Sequence, residues 1–196
     1  GFMIGGGMRS IGHPKPSIAN LTWGCMDNAT VLERLRGALP TAVENSSESR
    51  GELSIFVRRD AIVDVTRFLR DDPTLSYNFL ENLCGVDYLG RTPRFEVVYH
   101  LLSHKNRHRI CLKVGANEGE AVPTLTGLWA TANWQEREAY DLMGIPFAGH
   151  PGLQRILLPD DWEGHPLRKD VPLGGEEVAF TFNEDQIYAH KPFAKE

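Results

Sequence analysis

Two short runs concentrate the side chains that could do chemistry. In EREAYD, residues 136–141, Glu138 and Asp141 stand three apart and could present paired carboxylates, the general acid and base of a hydrolase. Arg137 and Asp141 are i and i+4, neighbours on one helix face, and Glu136 falls in the first turn, where the helix dipole favours an anion. Nothing nearby marks these carboxylates for a perturbed pKa, so caps and ion pairs that fix the helix are the favoured reading. In HPLRKDVPL, residues 165–173, Arg168, Lys169 and Asp170 lie between Pro166 and Pro172. A basic pair on stiff backbone suits carboxylates of a facing protein, with the arginine able to bind bidentately. Leu167 flanks the pair, and Trp162 has the character of a buried interface anchor.

The histidines are weaker candidates. His100, His104 and His108 recur every four residues, which aligns metal ligands only on a helix, whereas these positions read as strand, turn and strand. His150-Pro151 and His165-Pro166 bias their histidines toward extended backbone, a pairing that shapes a chain more often than it binds a metal. A metal-dependent hydrolase built on Glu136, Glu138, Asp141 and His150 is the rival from another functional class. The sequence contains no HExxH, GxGxxG, GxxxxGK[ST] or GxSxG pattern.

The 196 residues carry 26 acidic and 21 basic side chains, a formal charge of −5, which excludes a nucleic-acid binder acting through bulk positive charge. Hydrophobic residues at 41% and charged residues at 24% match a soluble globular chain able to bury a core. No apolar run approaches the roughly 18 residues of a membrane-spanning helix. Cys25, Cys84 and Cys111 form no CxxC pair, so zinc and iron–sulfur spacings are missing, and a sparse odd count fits a reducing compartment. The start, GFMIGGGMRS, lacks the basic and long apolar regions of a secretory signal, and a cytoplasmic location is expected.

These runs need elements to hold them. Residues 1–28, rich in Gly, Pro and Ser, read as a flexible arm. Asn28 or Thr30 caps a short helix through about Leu39, ended by Pro40. The polar loop ENSSESRG leads into a strand at Leu53–Val57, then a helix capped by Asp60 with Ile62, Val65, Phe68 and Leu69 at helical spacing. The segment from Ser76 to Gly90 fits strand and helix alike. Phe95, Val97 and Tyr99 alternate as in a strand, and Ile110–Val114 completes an antiparallel hairpin. Pro123 and Thr124 start a short helix through Trp129, and Asn133 with Glu136 forms a capping box for a helix ending at Met143, with Gly144 beyond it. Residues 29–143 thus read as one α+β domain, helices packed on a small mixed or antiparallel sheet.

From residue 144 to 196 neither period persists, and six of the twelve prolines fall here. Yet Ile145, Phe147, Ile156, Leu157, Trp162, Leu167, Phe180 and Phe182 need a surface, because leaving each in water forfeits roughly 1.5–3 kcal/mol. A structureless stretch this long is uncommon inside a compact domain. A long extended arm laid over a partner protein is therefore expected, the alternative being a tail that folds back over its own domain.

GVDYL at 85–89, ANWQEREAYDLMGIPFAGHP at 132–151 and RILLPDDWEGHPLRKDVPL at 155–173 together resemble the C subunit of respiratory complex I, the proton-pumping NADH:quinone oxidoreductase, and the J subunit of its photosynthetic relatives. Where that family usually has two basic residues before the Ile-Leu pair, Gln154 precedes Arg155 here. The resemblance implies a non-redox structural and assembly subunit of the peripheral arm, with no catalytic residue and no cofactor on this chain. Iron–sulfur clusters, FMN, NADH and quinone would be held by other subunits. It further implies a C-terminal segment lying along the large quinone-site subunit near the adjacent cluster-bearing subunit, on the cytoplasmic side of the membrane without a span of its own. A scaffold subunit of a related membrane-bound hydrogenase or ferredoxin-dependent complex is the alternative. Partner contacts are expected from Glu136, Arg137, Glu138, Asp141, His150, Pro151, Arg155, Trp162, His165, Pro166, Leu167, Arg168, Lys169 and Asp170.

Overall fold

Arg50 and Gly51, at φ 54° and 83°, form the two-residue left-handed turn that matches the twist of paired strands. It joins β1 (Val43–Ser49) to β2 (Glu52–Val57) in antiparallel register, with Ser49 opposite Glu52. The run expected as a polar loop is therefore a strand. Its side chains carry no apolar alternation because β1 lies at the sheet edge, held chiefly by the ladder to β2. In β2 the alternation is plain: Leu53, Ile55 and Val57 are buried.

The computed structural model describes residues 26–171 and 180–190. Residues 1–25, which make up most of the expected N-terminal arm, and the tail residues 172–179 and 191–196 lie outside them. Helix α1 (Asn28–Ala38) buries Val31 and Leu35. After β2, a 3-10 turn at Arg59–Ala61 precedes α2 (Ile62–Asp71), so Asp60 pairs with Arg58 instead of capping. Ile62, Val65 and Leu69 bury one face of α2, and the buried Thr66 hydroxyl donates to the Ile62 carbonyl at 2.7 Å.

The ambiguous segment is a strand, β3 (Phe79–Asp87), and the expected hairpin is β4 (Phe95–Ser103) with β5 (His108–Ala116). Sheet order is β1-β2-β5-β4-β3. Within this sheet β2 and β5 run parallel, and the other neighbouring pairs are antiparallel. The β2–α2–β3 crossover thus leaves a gap that the β4–β5 hairpin fills. One core cluster joins Val31, Leu35, Ile55, Leu69, Phe95, Tyr99 and Leu112. The architecture is α+β, with a mixed five-stranded sheet as expected.

After β5 the expected helix at Pro123–Trp129 does not form. Val122–Pro123 is the two-residue strand β6, and Leu125–Trp129 makes a single turn closed by the Trp129 N–H on the Leu125 carbonyl at 3.0 Å. Helix α3 (Ala132–Met143) follows, and β7 (Phe147–Ala148) then pairs parallel with β6. Ile145 and Phe147 enter the core, so the chain beyond residue 143 begins by packing on its own domain. Through residue 171 it follows the fold-back alternative and not an arm free of the domain. A short helix α4 (Glu184–His190) follows the undescribed residues, with Ile187 buried.

Candidate functional site

Helix α3 is ended by Gly144 at φ 73°, the left-handed position that glycine tolerates. A Cβ there would stand 2.5 Å from atoms of His165 and Arg168. The same residue therefore stops the helix and lets the later chain cross it. That chain, residues 152–171, forms a strap of turns and extended backbone without a ladder of its own. Its backbone polar groups must be met elsewhere.

Asp141 meets three of them in a row. Its fully buried carboxylate accepts the backbone N–H groups of Ile156, Leu157 and Leu158 on Oδ2 at 2.9–3.0 Å, and the Arg155 guanidinium on Oδ1 at 2.7 Å. Burial alone would raise the pKa, but these donors together hold it down at about 2. Arg155 also donates to the Trp162 carbonyl at 2.9 Å, closing the strap on itself. Arg137 does not pair with Asp141 as its i and i+4 spacing suggested; it reaches the carbonyls of Gln154 and Arg155 at 3.1 and 2.9 Å while lying over the Trp134 ring. His165 Nδ1 contacts the Asp141 carbonyl at 2.8 Å, and the Leu167 N–H donates to the Leu142 carbonyl at 3.1 Å. The carbonyls that α3 leaves unsatisfied at its end are thereby used to dock the strap.

A second knot holds the strap's far end. Arg94 makes a bidentate pair with Asp87 at 2.9 and 2.8 Å and reaches Asp170 at 2.9 Å and Glu118 at 3.6 Å. Asp87, nearly fully buried, also accepts the Lys169 N–H at 2.9 Å. Arg94 chiefly, then that N–H, lowers its pKa against the cost of burial. Arg168 donates to the Met143 carbonyl at 2.8 Å and to Glu118 at 2.5 Å, and both guanidiniums lie near the Phe95 ring. Arg168 and Asp170, both expected to contact a partner, are thus paired within the chain.

Glu136 does not close a capping box. It is fully buried, accepting the Leu125 N–H at 2.7 Å and the Thr124 hydroxyl at 2.5 Å, and so ties the β6 turn to α3. Burial pushes its pKa up to about 7, only partly offset by those two donors.

The remaining expected residues divide. His150 is half-buried near the Asn133 carbonyl at 3.3 Å, Pro151 and Glu138 are exposed, and Trp162 and Pro166 are half-buried. The rival metal site is therefore not assembled: Glu136, Asp141 and His150 face different partners, Glu138 is exposed, and no group of three or more His, Cys, Asp or Glu side chains gathers as metal ligands among the described residues. Of the spaced histidines, His108 is tied to Tyr77 and Asn28 at 2.6 and 2.9 Å, and His104 to Asn78 at 3.0 Å.

Sequence reasoning missed Asp87, Arg94 and Glu118 as members of the second knot. Asp87 stands inside GVDYL and could have been found there. Arg94 and Glu118 lie in connections with no local pattern to expose them.

The fold and its two knots define an α+β domain with a self-anchored C-terminal strap. The family described as "Respiratory-chain NADH dehydrogenase, 30 Kd subunit" matches residues 55–177, and the chain belongs to it. It is 73% identical over 172 residues to the C subunit of NADH-quinone oxidoreductase from Roseiflexus sp. (strain RS-1), covering 87% of this chain and 99% of that relative. The counterpart in Herpetosiphon aurantiacus is 56% identical over 172 residues, again 87% of this chain and 99% of the relative. Among solved structures, one described as the membrane-bound sulfane sulfur reductase, an archaeal respiratory membrane complex, has a chain that superposes with a TM-score of 0.63. That match covers 85% of this chain and 91% of the other at 21% identity, a likeness of fold. No helix among the described residues is long and apolar enough to cross a membrane.

Proposed function

We propose that this chain is a non-redox scaffold subunit in the peripheral arm of a proton-translocating NADH:quinone oxidoreductase. Electron transfer from NADH to quinone belongs to the assembled complex, and the clusters, FMN, NADH and quinone sit on its other subunits. The strap docks on the large quinone-site subunit and the adjacent cluster-bearing subunit, which hold this chain peripherally on the cytoplasmic side of the membrane. One observation carries the reading. The strap commits Arg155, Arg168 and Asp170 to the knots at Asp141 and Arg94, and leaves Leu157 and Leu167 outward at 62% and 54% exposure, beside the exposed Asp160, Asp161, Glu163 and Lys169. Ordered backbone with outward aliphatic side chains is a preformed surface, which lowers the ordering cost of binding. The relatives' shared description as the C subunit of NADH-quinone oxidoreductase supports the choice of complex.

The test is Leu157→Glu and Leu167→Glu, separately, in the producing organism. The isolated variants should melt like the parent chain, while their recovery with affinity-purified complex should fall by at least about tenfold, as expected when a central interface contact worth about 1.4 kcal/mol or more is lost. Full recovery of both variants in active complex would refute the reading.

A further inference from the structure

The strap does more than present its own side chains. Leu167 also completes the third wall of a cleft between β3 and α3, whose other walls are Leu83, Cys84, Ala139, Leu142 and Met143. The cleft has a volume of about 80 Å³. That is several times the roughly 10–15 Å³ that holds one water and about half the 150 Å³ that accepts a benzene ring, so its size suits a branched aliphatic side chain.

Two polar groups on α3 complete it. Gln135 lines the cleft, and its Oε1 is buried with no hydrogen-bond partner among the described residues, although its Nε2 reaches the Glu81 carbonyl at 3.5 Å. Glu138, at the rim, is exposed and makes no ion pair among the described residues, whereas Glu81 nearby is already paired with Arg109 at 2.7 Å. The cleft therefore offers an apolar socket with one free negative charge at its rim.

We propose that this cleft is a second docking socket, which receives an aliphatic side chain from another subunit, with a basic side chain of that segment on Glu138. The inference rests on the chain being a subunit of a larger complex, as argued under its proposed function. Charge complementarity selects the basic partner, and continuity through Leu167 selects a protein that also covers the strap. Because Leu167 is a wall of the socket, the socket exists only while the Asp141 and Arg94 knots hold the strap down. One partner thereby reads two surfaces that the chain must first assemble by folding.

The experiment compares the isolated full-length chain with the purified complex. N-ethylmaleimide labelling of Cys84, half-buried in the socket, should be at least about tenfold slower in the complex, with the buried Cys111 as an unreactive reference in both. Carbodiimide coupling of glycine ethyl ester to Glu138 should likewise occur in the isolated chain and be lost in the complex. Equal labelling of both residues in the two states would leave the socket empty and overturn the proposal. Equal protection in both states would put a segment of this chain into the socket, and protection of the isolated chain that grows with its concentration would put a second copy there; either overturns it. If no other subunits are recovered with the chain, the proposed function fails and takes this inference with it, whereas recovered subunits with an unprotected socket refute the inference alone.

Discussion

Glu136 and Asp141 lie on the same helix, five positions apart, and both carboxylates are closed to solvent, yet their pKa values are pushed in opposite directions. Asp141 faces the strap, where three N–H groups and the Arg155 guanidinium compensate its charge and keep its pKa at about 2. Glu136 faces the β6 turn, where one N–H and one hydroxyl leave burial dominant and its pKa at about 7. Both side chains are closed to solvent, but Glu136 sits deeper in the core and has fewer, uncharged donors, so depth of burial and the number and charge of the donors together separate them. The strap side of α3 is an ionic fastening, and the core side is held by a carboxyl that exchanges its proton near neutral pH.

The largest effect that would break this contrast comes from Asp141→Ala. Removing the carboxylate strands Arg155 and three strap N–H groups, at a cost of about 3–5 kcal/mol measured by urea unfolding, and limited proteolysis should newly cut between residues 152 and 171. A strap still resistant in a stable variant would show that Asp141 is not its fastening.

A smaller effect, of opposite sign in pH, belongs to Glu136. Its folded pKa of about 7 is raised from the ordinary 4.5, so the native state keeps a proton that the unfolded chain has already released. Stability should therefore fall as pH rises from 4.5 to 7, by at most about 3 kcal/mol. In Glu136→Gln, which can still accept from Leu125 and donate to Thr124, that fall should vanish, giving equal unfolding midpoints near pH 4.5 and a more stable variant at pH 8. Asp141, with its pKa lowered from 3.8, behaves oppositely: its contribution is present at neutral pH and is lost as pH falls from about 4 toward 2.

Arg137→Ala should have the smallest effect. It removes two hydrogen bonds from a partly exposed guanidinium to strap carbonyls, about 1–2 kcal/mol in unfolding free energy. A loss as large as that of Asp141→Ala would mean that the carbonyl contacts, and not the carboxylate, set the strap's position.

Elements whose burial follows a local period were legible in the chain alone. Helix α2, the β4–β5 hairpin and the end of α3 at Gly144 lie where apolar spacing and a left-handed glycine put them. The edge strand β1 was not legible, because its stability comes from pairing with β2 and not from a buried face. Pro123–Trp129 misled in the other direction, since its helical spacing lost to the β6–β7 pairing and to the Glu136 tie.

The motifs at 132–151 and 155–173 were sufficient to place the chain in its family, and residue types alone marked the α3 carboxylates and the basic pair of the tail. Which atoms those charges meet was decided only by the tertiary structure. Asp141 finds Arg155 after a turn of the chain, and Arg94 finds Asp170 across most of a domain. A charge's partner depends on distance in space, and the chain's order fixes that distance only once the sheet, helix and strap have packed together.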